Sequence, residues 1–172
     1  MLFHPEYRFL YFLSVNTGCM IRPALEKDLP EIASLWKDFM EEETYIDFDA
    51  DAAAVREWTE YARKHLSENG YGLLVSQGQE IEGFVMFEPK KSPFRSRFRK
   101  GYISDIYVRP EKRRRGIAKS LMQEAMKIMG KEYDRIHLQV FANNEKAIKL
   151  YRSLGFDDFS LILDYKTKAG DR

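Results

Sequence analysis

The sequence predicts one mixed α/β (α+β) domain, and three observations carry that expectation. Helix-period and strand-period stretches alternate from Met20 onward, neither a Gly/Ser linker nor a low-complexity block separates them, and 172 residues with 44% hydrophobic content suffice for a single core. No internal repeat is visible, and a second catalytic domain is not expected.

Each element follows from its local pattern. Asp28 can cap a first helix whose opening turn holds Pro30 and Glu31, with Ile32, Leu35, Trp36, Phe39 and Met40 forming one apolar stripe. A second helix is expected over about 51–67. "YGLLVS", a turn at Gly78 and "EIEGFVMFEP" read as a strand hairpin that ends at Pro89. After the basic stretch "PKKSPFRSRFRK" come the strand "GYISDIYV", a helix over about 116–129, the strand "RIHLQVF", a short helix over about 145–153 and a last strand in "FDDFSLILDYK".

The first nineteen residues stand apart. "FLYFLSV" is too short to cross a bilayer, which takes ~20 apolar residues, and Asn16 sits where a lipoprotein cleavage site needs an aliphatic side chain. Residues 1–19 are expected to be an upstream extension or an added strand, with the domain proper over 20–172.

Composition narrows the function classes. With 28 Lys and Arg against 27 Asp and Glu, the net charge of +1 gives no field that would draw the whole molecule to nucleic acid or to an anionic membrane. One cysteine, Cys19, excludes an internal disulfide, and three scattered histidines have no metal-ligand spacing. A cytoplasmic protein without a membrane partner or a metal is expected, and an oligomer is open to it.

The most informative stretch is "VRPEKRRRGIAKSLM", with five cations in the eight residues Val108 to Arg115 and then one glycine. A strand ends at Val108, Pro110 stops the ladder, and Gly116 turns the chain into a helix burying Ala118, Leu121, Met122, Ala125 and Met129. Free amides at such a helix start favour an anion, the small Ala118 lets it approach, and Arg113, Arg114 and Arg115 add charge. This reads as a diphosphate site. The same residues also suit a solvated loop that only turns at its glycine. Nucleotide motifs fail here: a Walker loop needs glycine where Ala118 and Arg113 stand, and a dinucleotide fingerprint needs it at Arg114 and Lys119.

Arg113-x-x-Gly116-x-Ala118, preceded by "DIYVRPEKR", resembles the cofactor motif of the GNAT N-acetyltransferase superfamily, Arg or Gln-x-x-Gly-x-Gly or Ala after a hydrophobic strand. About thirty residues on, "LQVFANNEKAIKLYRSLGF" is similar to the family's segment of strand, Asn, short helix, Leu-Tyr and Gly-Phe. The resemblance covers nearly the whole chain from Met20. It implies a mainly antiparallel mixed sheet with a splayed strand pair, flanked by about four helices, and acetyl transfer from acetyl-CoA directly to a primary amine.

The resemblance also implies roles. Main-chain groups at Ile106 and Val108 would pair with the pantetheine arm, and the Val108 amide would polarise the thioester carbonyl. Amides from Arg114 through Arg115, Gly116, Ile117 and Ala118 to Lys119 would hold the diphosphate, with charge from Arg113. Asn144 would bind the cofactor, although it is equally placed to cap the helix that begins at Glu145. Tyr151 resembles the tyrosine that protonates the departing CoA thiolate; by spacing alone it belongs to a core stripe with Ala147, Leu150 and Leu154.

The acceptor side is less regular. Relatives acting on ribosomal-protein N-termini carry glutamate where this chain has Gln139, and glutamine cannot take a proton. Asp105, after Ser104, resembles instead the strand of polyamine and diamine acetyltransferases, and is the candidate base and substrate contact. Its alternative is an exposed carboxylate answering the arginines. "EEETYIDFDAD" offers six carboxylates with Tyr45 and Phe48, which would attract a cationic acceptor, small molecule or protein, with Tyr45 a candidate contact. The alternative acceptor is the α-amine of a protein N-terminus. A rival of another class is an RNA-binding module, since "KKSPFRSRFRK" carries six cations beside Phe94 and Phe98; the absence of any nucleic-acid fold motif disfavours that nucleic-acid reading.

Overall fold

The computed structural model describes residues 13–14, 20–42, 49–91 and 97–164. Two compact units are present, the first ending at Gln139 and the second beginning at Val140. The first holds a six-stranded sheet in sequence order: β1 (Leu13–Ser14), β2 (Met20–Pro23), β3 (Gly72–Gln77), β4 (Ile81–Pro89), β5 (Lys100–Val108) and β6 (Arg135–Leu138). Neighbours are antiparallel except β5 and β6, which run parallel. Helices α1 (Leu29–Glu42), α2 (Ala52–Lys64) and α3 (Ile117–Met129) also belong to the first unit, and α4 (Glu145–Ser153) belongs to the second.

Strand alternation sorts the sheet into two apolar faces. Leu73, Val75, Phe84, Met86 and Tyr107 share one core cluster with Ile32, Leu35 and Trp36 of α1 and Trp58 and Ala62 of α2. Trp36 stacks on Trp58 at 5.2 Å, and Trp58 meets Phe84 edge-on at 5.9 Å. Phe87 and Ile103 point the other way, toward α3. A Cβ at Gly101, on that second face, would lie 2.5 Å from the Met129 methyl of α3 and 2.6 Å from the Tyr133 ring, so a larger residue there would make these side chains shift.

Four sequence expectations change in detail. Asp28 does not cap α1; it closes a short 3-10 turn and holds the Leu25 amide at 2.7 Å and Arg22 Nη1 at 2.6 Å. Asp51 is the cap that works as such, taking the amides of Ala53 and Ala54 at 2.8 Å each. The second helix stops at Lys64 rather than at about 67. The strand expected in "RIHLQVF" ends at Leu138, and "FDDFSLILDYK" forms no strand through Asp164, with Phe159, Leu161, Ile162 and Leu163 between 67% and 83% exposed. Alternation makes a segment competent for a sheet, but only a partner completes its hydrogen bonds.

One irregularity in β5 positions the site. Phe87 faces Ile103 and Met86 faces Asp105, so Ser104 is an extra residue on β5. Such a bulge bends its strand and shifts side-chain direction by one position. Pairing with β6 ends at Ile103, immediately before it, while β5 runs on to Val108.

Candidate active site

The far half of β5 presents main-chain groups to an open edge. Arg109 N–H donates to Glu82 O at 2.9 Å, which fixes the phase of the antiparallel ladder: Asp105 and Tyr107 bond toward β4, and Ile106 and Val108 turn theirs away. Among the described residues no strand occupies that outer side beyond Ile103. Val108 O is taken by Arg113 Nε at 2.8 Å, so it is the Val108 N–H that this edge offers.

The loop after β5 supplies the second half. Arg114 has φ +65° and Gly116 has φ +80°, and Ser120 N–H closes the first helical bond of α3 on Gly116 O at 3.0 Å. The amides of Ile117, Ala118 and Lys119 precede that ladder, and left-handed residues among them curve the chain into a nest for an anion. Ile117 is buried and anchors the turn, Ala118 is half-buried, and Arg114, Arg115, Gly116 and Lys119 are exposed. The five cations divide by role. Arg109 pairs with Glu31 and Glu80 at 3.3 and 3.6 Å, Lys112 with Glu82 at 3.0 Å, and Arg113 with Glu42 at 2.6 Å, whereas Arg114 and Arg115 stay at the surface. The open β5 edge can pair with an extended chain, and the nest suits an anion.

On the α2 side of the sheet lies a cavity of about 410 Å³ with Tyr61, Tyr71, Tyr102, Glu88 and Gln139 in its wall. Tyr102 is paired across the strands with Glu88. The Ser104 bulge brings Asp105, three residues on, to the same face as Tyr102, where an unbroken strand would have turned it toward α3. Burial pushes the Asp105 carboxyl up to about 6; a hydrogen bond from Ser104 opposes this and the charge of Glu88 adds to it. Glu88 accepts from Tyr61 Oη at 2.5 Å and lies 3.8 Å from Nε2 of buried His65, a nitrogen with no hydrogen-bond partner among the described residues. Burial holds His65 below the usual histidine range.

In the second unit, Asn144 Oδ1 accepts from the Ala147 amide at 3.1 Å, so the capping expectation holds. Tyr151 is buried on α4, with the Phe156 ring edge-on at 6.1 Å. Tyr45 lies outside the described residues. Of the six carboxylates read as a cation attractor, Glu41 pairs with Lys37, Glu42 braces Arg113, and Asp51 caps α2. Sequence reasoning missed Glu88, Tyr61, Tyr102 and His65. The available signal was the hairpin itself, since pairing "FEP" with "GYI" sets Glu88 beside Tyr102. No group of residues suited to a metal ion occurs among the described residues, and no helix there is long and apolar enough to cross a membrane.

An interrupted strand edge thus runs into an amide nest, and a tyrosine-walled cavity lies on the α2 side of the same sheet. The chain belongs to the Acetyltransferase (GNAT) family, whose sequence profile matches residues 31–156. It is 32% identical over 118 residues to an N-alpha-acetyltransferase of Saccharolobus solfataricus, covering 63% of this chain and 70% of that protein. It is 28% identical over 137 residues to the peptidyl-lysine N-acetyltransferase YiaC of Escherichia coli, covering 80% and 82%. The structure of AAC(6')-Iy with a CoA bisubstrate analogue superposes with a TM-score of 0.67 at 17% identity, over 87% of this chain and 98% of that one. This protein is an N-acetyltransferase with acetyl-CoA as donor.

Proposed function

We propose that the acceptor is the α-amine of a polypeptide N-terminus. The observation that carries this is Asp105, a carboxylate raised to about 6 on the sheet face that also carries Tyr102. An α-ammonium with pKa ~8 can pass its proton to such a base at a cost of about 3 kcal/mol, whereas a lysine ammonium at ~10.4 needs about 6 kcal/mol. One base of this strength suits the first. The similarity to an N-alpha-acetyltransferase agrees with that reading.

Acetyl-CoA, when bound, supplies the electrophilic thioester carbonyl. The chain's own groups do the rest. Asp105 takes the ammonium proton, which frees the nitrogen lone pair for attack, and the Val108 N–H stabilises the charge that grows on the carbonyl oxygen. Ile106 main-chain groups hold the pantetheine arm as an added strand would, and the amides from Arg114 to Lys119 take the diphosphate. Arg113 acts as the brace of that loop, with its guanidinium held by Val108 O and Glu42. Asn144 and Tyr151 take their roles from the match to the family's second motif: Asn144 beside the cofactor, and Tyr151 Oη as proton donor to the departing thiolate.

A single peptide bearing both a free N-terminus and an internal lysine tests the reading. After incubation with acetyl-CoA, fragment masses are expected to place the acetyl group on the N-terminal residue; acetylation confined to the lysine would refute it.

A further inference from the structure

The cavity walled by Tyr61, Tyr71 and Tyr102 has an unexpected charge for an enzyme that acts on an amine. Glu88 is the carboxylate in its wall, yet Lys64, Lys90 and Lys91 line it too. All three lysines are exposed, and among the described residues none makes an ion pair, in contrast to Arg109, Lys112 and Arg113, which are each neutralised by a glutamate of the fold. Lys90 is held in place, with Nζ 5.1 Å from the centre of the Tyr102 ring. The lining therefore holds three positive charges and one negative one.

The net positive charge of this wall disfavours an acceptor that carries further cations. Glu88 and the tyrosine faces can accept one cation, while three lysines with no ion pair among the described residues favour compensating negative charge on the rest of the acceptor. We infer that the acceptor polypeptide carries acidic side chains in the first few positions after its N-terminal residue, and that Lys64, Lys90 and Lys91 read them. The inference rests on the α-amine reading. A polyamine, with further cations along its length, is the acceptor that this rim opposes most strongly. The lysines come from two elements, Lys64 from the end of α2 and Lys90 and Lys91 from just beyond β4, so a chain leaving the cavity meets them on both sides.

The test uses the full chain and three peptides that share an N-terminal residue and contain no lysine, with aspartate, asparagine or arginine at positions two to four. Turnover is followed as thiol release at low and at physiological ionic strength. The acidic peptide is expected to exceed the neutral one about tenfold in kcat/KM and the arginine peptide by more, with the advantage shrinking as salt rises. In the Lys90→Glu/Lys91→Glu double variant the order of acidic and arginine peptides is expected to reverse. Equal kcat/KM for all three peptides would overturn the inference while leaving α-amine acetylation intact. Failure of all three, with spermidine or an Nα-blocked lysine peptide acetylated instead, would overturn the α-amine reading and the inference with it.

Discussion

Glu42, the last residue of α1, accepts from Arg113 Nη2 at 2.6 Å through one oxygen and from Tyr107 Oη at 2.6 Å through the other. This carboxylate thus ties the first helix to β5 and to the glycine loop together. Its pair with Arg113 is half-exposed and contributes little by itself, whereas the Tyr107 hydroxyl loses a partner in a largely buried site. Glu42→Ala is expected to cost about 1–2 kcal/mol and to lower Tm by about 4 °C. A several-fold rise in KM for acetyl-CoA should accompany it, as Arg113 is released from its brace. Thermal melts and donor titrations check both.

Gly116 sits at φ +80° and ψ 0°, a conformation that costs an L-residue about 1–2 kcal/mol. Gly116→Glu adds a negative charge to the amide nest as well. Calorimetric titration should show acetyl-CoA affinity at least tenfold weaker; unchanged affinity would place the diphosphate elsewhere.

The proposed role of Asp105 carries a pH signature. As the base it must be ionised, so kcat/KM should rise with pH through about 6, and Asp105→Asn should remove that limb and most of the turnover. Stability moves the opposite way. The folded carboxyl holds its proton to a higher pH than the unfolded one, so the folded state binds more protons between about 4 and 6 and loses stability as pH rises across that window. Asp105→Asn should therefore stabilise the fold at pH 7, by up to about 3 kcal/mol, while it disables catalysis. A variant with wild-type pH dependence would exclude Asp105 as base.

Tyr151→Phe removes one hydroxyl from α4 and keeps the ring. A fall in kcat of ten- to hundredfold with acetyl-CoA affinity preserved is the expected result, because in the proposed role only the thiolate's proton donor is lost. Unchanged turnover would reduce Tyr151 to a packing residue against Phe156.

The glycine junction was legible because its signals are local. A proline after the strand, one glycine and a helical stripe mark the end of β5 at Val108 and the start of α3 at Ile117 without reference to anything distant. The tyrosine-walled cavity was not legible in the same way. Its wall depends on cross-strand register and on one inserted residue, Ser104, and a period-2 pattern cannot announce a bulge that its partner strand defines. Charge counting met a similar limit. Five clustered cations look equivalent in sequence, but Glu31, Glu80, Glu82 and Glu42 from remote segments neutralise three of them. The apolar run at the C-terminal end shows the converse: Leu161, Ile162 and Leu163 have strand composition and are 70–83% exposed without a strand.

The most direct measurement compares two acceptors at fixed acetyl-CoA and pH 7.5: a lysine-free peptide with a free N-terminus, and an Nα-blocked peptide of the same sequence carrying one lysine. The neutral fractions of the two amines differ by about two orders of magnitude. The account predicts a kcat/KM at least about a hundredfold higher for the free N-terminus. Equal values, or a preference for the lysine peptide, would contradict the assignment of the α-amine as acceptor.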